Sequence, residues 1–158
     1  WHQSSAVVPA GQSLADLHRT FNWRYGPANR DIGSASYATR PYAYHGVGLR
    51  PLSPVHVRAS RDNGDISLSW IRRTRIGGDN WELADVPLGE DAERYEIDIL
   101  DPADLSHIVR TLTAAAPTTL YGQADQIADF GALQSACHVR VHQISAVLGR
   151  GAAAVAIV

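Results

Sequence analysis

The stretch Asp65-Ile-Ser-Leu-Ser-Trp70 alternates apolar and small polar residues without a break. Successive side chains of an extended chain point to opposite faces, so Ile66, Leu68 and Trp70 share one face and Ser67 and Ser69 the other. A segment with one apolar side is a half-buried strand, and its apolar face has to be covered by a second layer. Trp70 sets the scale of that layer, because burying an indole removes about 150–250 Å² from water. From Pro54 onward the chain reads as the strands that provide the cover.

Val55-His-Val-Arg-Ala59 also alternates, and Arg61-Asp-Asn-Gly-Asp65 joins it to the Trp70 strand. Asn63-Gly64 marks a tight hairpin, since both residues accept positive φ at low cost. Asp62 and Asp65 resemble half of a calcium loop, but the further acids and terminal Glu of such a loop are missing. The connection from Arg72 to Arg94 is too long for a hairpin and reads as an inserted loop. Tyr95-Glu-Ile-Asp-Ile99 then places Tyr95, Ile97 and Ile99 inward and Glu96 and Asp98 on a solvated outer face. Ile108–Thr113 and Thr118–Tyr121 are further strands, and residues 122–130 suit one or two helical turns ended by Gly131. Cys137 to Ser145 alternates again, with Cys137, Val139 and Val141 inward. Gly149-Arg-Gly151 is a turn, and Ala153–Val158 is the last strand. Seven short strands in about 105 residues predict an all-β chain, an immunoglobulin-like seven-stranded β-sandwich.

Residues 1–45 form a small β segment ahead of the sandwich. Its candidates are Ala6–Ala10, Thr20–Tyr25 and the tyrosine-bearing stretch from Ser36 to Gly46, and too few strands result for an independent domain. Residues 46–54 carry two glycines and two prolines and read as a linker, which leaves 55–158 for the sandwich and 72–94 for its inserted loop. Trp1-His-Gln3 has neither the basic nor the apolar region of a leader and no Met, so the expectation is a piece cut from a longer chain.

Chemistry is sparse. The net charge of −2 offers no general attraction for nucleic acid or anionic lipid, and no apolar run nears the ~18 residues of a membrane span. The lone Cys137 excludes an internal disulfide and a multi-cysteine metal site. His138 and His142 lie four residues apart on one strand, about 13 Å, so they cannot share an ion. Neither a P-loop, an HExxH nor a GxSxG pattern occurs, and Glu96 and Asp98 lack a readable sugar cleft. The expectation is therefore no catalytic residue, no metal and no cofactor. The candidate contacts for a partner or a glycan are Trp81, Arg72, Arg73 and Arg75. Exposed aromatics and arginines anchor interfaces, while the acids of the same loop, Glu82, Asp85, Glu90, Asp91 and Glu93, offer the alternative of pairing within the loop. Tyr37, Tyr42 and Tyr44 are further aromatic candidates, or they pack within their own segment.

Two local patterns resemble a fibronectin type III domain: Ile66-Ser-Leu-Ser-Trp70 followed by Tyr95-Glu-Ile-Asp-Ile99, and Cys137-His-Val-Arg-Val141 followed by Gly149-Arg-Gly151. Cys137 stands where that family usually has Tyr, and the 72–94 loop is longer than usual. A wider resemblance rests on Trp23-Arg-Tyr-Gly-Pro-Ala28, Gly46-Val-Gly-Leu-Arg-Pro-Leu-Ser-Pro-Val-His56 and Leu68-Ser-Trp-Ile-Arg-Arg-Thr-Arg75. These look like the C-terminal region of the large tail-tip host-specificity, or baseplate hub, protein of gene transfer agents and related siphophages. That resemblance implies a non-catalytic module of a tail baseplate, located at the tail tip of the particle. It implies other baseplate subunits as partners in a symmetric oligomer, and a role in host attachment or penetration. The alternative carried beside it is a carbohydrate-binding module for a host surface polysaccharide.

Overall fold

The computed structural model describes residues 11–78, 82 and 86–158, and the chain divides into two compact units, 1–48 and 49–158. The first unit is a hairpin of β1 (Thr20–Tyr25) and β2 (Ala38–Ala43), preceded by a 3-10 turn at Leu14–Asp16 and followed by another at Val47–Leu49. Thr20 pairs with Ala43 and Tyr25 with Ala38. The Ala6–Ala10 strand candidate lies outside the described residues. Tyr37 folds back on the loop between the strands, its hydroxyl donating to the Pro27 carbonyl at 3.0 Å. Its ring passes so close to Gly26 that a Cβ there would sit 2.6 Å from it, so a glycine is required. Tyr42, in contrast, stays exposed.

Among its described residues the second unit is strands and loops with one short α-helix. Its elements are β3 (Val55–Asp62), β4 (Asp65–Ile71), β5 (Tyr95–Leu100), β6 (Ile108–Ala114), β7 (Thr118–Tyr121), α1 (Gln123–Phe130), β8 (His138–Ser145), β9 (Gly149–Arg150) and β10 (Ala154–Ile157). They form two antiparallel sheets. The smaller runs β3-β4-β7; the larger runs β10-β8-β5-β6, with the two-residue β9 on the end of β8. The alternation in the sequence decides which faces meet. Ile66, Leu68 and Trp70 of β4 join Tyr95, Ile97 and Ile99 of β5 and Val139 and Val141 of β8 in one buried cluster, closed by Tyr121 and Cys137. Trp70 meets Tyr95 edge to face, with ring centroids 5.0 Å apart, a geometry worth about 0.5–1.5 kcal/mol beyond area burial.

The turns obey local chemistry. Asn63 and Gly64 take φ of 49° and 91°, the pairing that a two-residue hairpin needs. The Gly64 carbonyl accepts from Gln126 Nε2 at 2.8 Å, so the hairpin tip rests on α1. Asp65 Oδ1 accepts from the Gln123 amide at 2.7 Å and supplies an anion at the start of that helix. Gly131 ends it in the left-handed region, as expected.

Two expectations change. Gly149-Arg-Gly151 is not only a turn, because Gly149 and Arg150 form the short return strand β9 against Ser145 and Ile144. The Gly/Pro stretch is also more than a linker at its C-terminal side. Pro51 and Pro54 are buried, and the Pro51 carbonyl accepts from the Ala152 amide at 3.1 Å. Gly151 lets the two backbones approach: a Cβ on it would stand 2.6 Å from Pro51 O and 3.0 Å from Gln143 O.

Trp70→Ala is expected to cost about 3–5 kcal/mol, the usual toll of a large core truncation, read as a lower urea midpoint. Gly151→Ala is expected to cost about 2 kcal/mol, because the atoms it meets are two backbone oxygens and the ring Cβ of Pro51, none of which can swing aside. A midpoint within error of wild type for the second variant would mean that the 51–54 and 151–152 segments are not held together in solution.

Candidate functional site

Among the described residues of the second unit, three gatherings of charged side chains stand out, and the first is on the outer face of the larger sheet. On β5, Glu96 lies between Thr113 and His142, and Asp98 between Thr111 and Arg140. Arg150, delivered by β9, reaches across β8. Its Nη1 donates to Asp98 Oδ2 at 2.7 Å, its Nη2 to Asp98 Oδ1 at 3.0 Å, and its Nε to Glu96 Oε2 at 2.5 Å. Thr111 adds a hydroxyl donor to Asp98 Oδ1 at 2.7 Å. His142 Nδ1 faces the Gly151 carbonyl at 3.0 Å; a carbonyl only accepts, so Nδ1 carries the hydrogen. The other ring nitrogen lies 3.8 Å from Asp98 Oδ2.

This corrects the expected solvated face. Asp98 points outward from the core, as the alternation requires, yet it is 0 % exposed. The guanidinium, the Thr111 hydroxyl and the His142 ring cover it. Burial by itself would push the Asp98 carboxyl up; the bonds from Arg150 and Thr111 outweigh that and hold it below the usual carboxylate range. The Arg150 guanidinium is in turn held charged, first by Asp98. Both Asp98 oxygens and one Glu96 oxygen are engaged by charge-assisted bonds. Asp98, buried and bonded through both oxygens, is not poised as a general base. What the assembly does chemically is staple β9 to β5.

The second assembly holds the helix. Arg110 of β6 donates from Nε to Asp129 Oδ2 at 2.6 Å and from Nη2 to Asp129 Oδ1 at 2.8 Å, and its Nη1 lies 3.1 Å from Asp125 Oδ1. Tyr121 donates its hydroxyl to Asp129 Oδ2 at 2.8 Å. The Arg110 bond lowers the Asp129 carboxyl against the opposing pull of burial, and burial followed by the Asp129 bond raises the Tyr121 phenol.

The third is the inserted loop, which contains the sequence-predicted contacts. Arg72 donates to the Val86 carbonyl at 2.8 Å and lies 3.8 Å from Glu93. Arg75 reaches Glu90 Oε1 and the Gly89 carbonyl, each at 3.4 Å. Both side chains are thus turned into their own loop, while Arg73 stands exposed between them. Glu93 also accepts the Tyr95 hydroxyl at 2.7 Å, so the loop is tied to the aromatic pair of the core. Trp81 lies outside the described residues. At the neighbouring end of the sheet, Arg94, Glu96, Thr113, Ala114, Ala115 and Ile144, with Tyr95, line an open recess of about 380 Å³.

The Arg150 and Arg110 assemblies escape a reading of the sequence. The Arg150 partners meet through strand register, and the Arg110 partners meet through the docking of α1 beside β6. Gly149-Arg150 after a long alternating strand is the one local hint, since a return strand has to place Arg150 beside β8. No protein-family model and no curated protein matches the chain.

Removing either member of the Arg150–Asp98 pair is expected to have unequal consequences. Arg150→Met strands a carboxylate that is 1 % exposed, at a cost of about 3 kcal/mol. Asp98→Asn leaves a guanidinium that still reaches water and Glu96, at about 1 kcal/mol. Asp98 has a lowered folded-state pKa, so its contribution is complete above the unfolded carboxylate value of about 3.9 and fades as pH falls through the lower folded value. The deficit of Arg150→Met in urea midpoint should therefore be largest near neutral pH and shrink below about pH 4. An equal deficit at both pH values would rule out the stranded carboxylate.

Proposed function

We propose that the chain is a non-catalytic structural and interaction module of a phage-like tail baseplate hub, of the gene transfer agent type, built around a fibronectin type III-like sandwich. The observation that carries the fold part of this reading is the strand order. Lettered in chain order as A, B, C, C′, E, F and G, the strands β3, β4, β5, β6, β7, β8 and β10 fall into sheets A-B-E and G-F-C-C′. That agrees with the immunoglobulin-like frame, in which A, B and E lie on one sheet and C, F and G on the other. The tail-tip part rests on the resemblance of residues 23–28, 46–56 and 68–75 to that family's C-terminal region.

The interaction role has physical support in the surface. The clustered charges are occupied with one another, which suits a scaffold better than a reaction centre. The edge strand β10 presents Val155 and Ile157 at 71 % and 66 % exposure, and Val147, in the turn before β9, is 60 % exposed. A short sheet edge carrying exposed apolar side chains is a natural place for a neighbouring subunit to pack. In this reading the partners are other baseplate subunits in a symmetric arrangement, and the protein acts at the tail tip during attachment or penetration.

Particles whose hub protein lacks residues 54–158 are expected to have defective tail tips or to fail to attach, as seen by electron microscopy and by a transfer assay. Normal tips with normal transfer would refute the proposal.

A further inference from the structure

In the first unit, His18 and His45 are 27 positions apart, yet their Nδ1 atoms lie 3.3 Å from one another. The ring centroids are 5.4 Å apart, at an interplanar angle of 56°. The nitrogens are thus the innermost points of the pair and the rings diverge behind them. The backbone enforces this meeting. The His18 amide donates to the Tyr44 carbonyl at 2.8 Å, and Leu17 and Tyr44 form a parallel bridge just beside the pair. His18 takes φ of 62°, in the left-handed region where His, like Asn and Asp, is found more often than other residues.

We propose that His18 and His45 form the protein half of a tetrahedral Zn²⁺ site. A zinc ion bound at about 2.0–2.1 Å places two imidazole nitrogens roughly 3.3–3.4 Å apart at the tetrahedral angle. A square-planar ion at a similar bond length asks for about 2.9 Å. The observed separation of 3.3 Å matches the tetrahedral spacing. Both rings are exposed, so the two remaining positions open to solvent. They are filled by water in the isolated protein and are available to donors from a neighbour. His107, which lies 3.5 Å from Asp101 in the second unit, serves as the control.

The test is a competition titration of Zn²⁺ into the metal-free full chain against a chromophoric chelator. The expected result is one saturable site, weakened at least tenfold in both His18→Asn and His45→Gln and unchanged in His107→Gln. Asn tolerates positive φ, so His18→Asn removes the ligand without adding strain, and circular dichroism of each variant checks that the fold is kept. A simple imidazole–imidazole hydrogen bond would leave no saturable site. That result, or equal affinity in either single variant, overturns the proposal.

Discussion

Everything in the second unit depends on the contact of Trp70 with Tyr95 across the two sheets. The indole comes from the smaller sheet and the phenol from the larger, and they meet edge to face at the centre of the buried cluster. Both residues sit in strands of period two, so a slip of one position would turn every apolar side chain of that strand outward. The same phenol carries the constraint outward. Its hydroxyl reaches Glu93, and Glu93 lies near Arg72, so the end of the inserted loop is set by the aromatic pair beneath it.

The larger sheet solves a second problem on its other face. An antiparallel sheet with one wet side usually leaves that side to solvated polar residues. Here the outer face is partly roofed. Asp98 is enclosed, and an enclosed carboxylate is tolerable only when it is fully bonded. Arg150 provides two of those bonds, and it can do so because Gly149, at φ of 69°, turns the chain back along β8. The turn, the guanidinium and the carboxylate form one device that fixes the path into β10. Arg110 with Asp129 and Tyr121 does the same for α1. Each clamp joins an irregular element to a strand, which is where backbone pairing alone leaves a fold least defined.

The parts that periodicity governs were readable from the residues. The positions of β4, β5 and β8, the inward set of Trp70, Tyr95, Ile97, Ile99, Val139 and Val141, the Asn63-Gly64 hairpin and the Gly131 helix end all follow from local rules. What could not be read depends on register between distant segments. Glu96 and Asp98 have the pattern of a solvated face, and nothing within five residues of either announces a guanidinium from position 150. The packing of Pro51 on Gly151 is hidden for the same reason: a Gly/Pro stretch signals only that regular structure stops. His18 and His45 are individually unremarkable in the sequence, and their meeting depends on the bridge at Tyr44. Arg72 and Arg75 were legible as a cluster with two outcomes, and their geometry favours the pairing within the loop.

These clamps also bear on how such a domain would act. Groups used in proton transfer are kept near their tipping point, with a pKa close to the working pH. Asp98 and Asp129 are driven the other way, locked as anions by partners that cannot give up their charge. Among the described residues, surfaces outside these clamps include the β10 edge with Val155 and Ile157, the exposed Arg73, and the paired imidazoles of the first unit. The two kinds of surface differ in what they demand of a neighbour. An apolar sheet edge accepts any strand or flat apolar face of adequate size, whereas two imidazole nitrogens at a fixed separation accept a metal and, through its open positions, a specific donor. A module that carries both can obtain affinity from the first and orientation from the second.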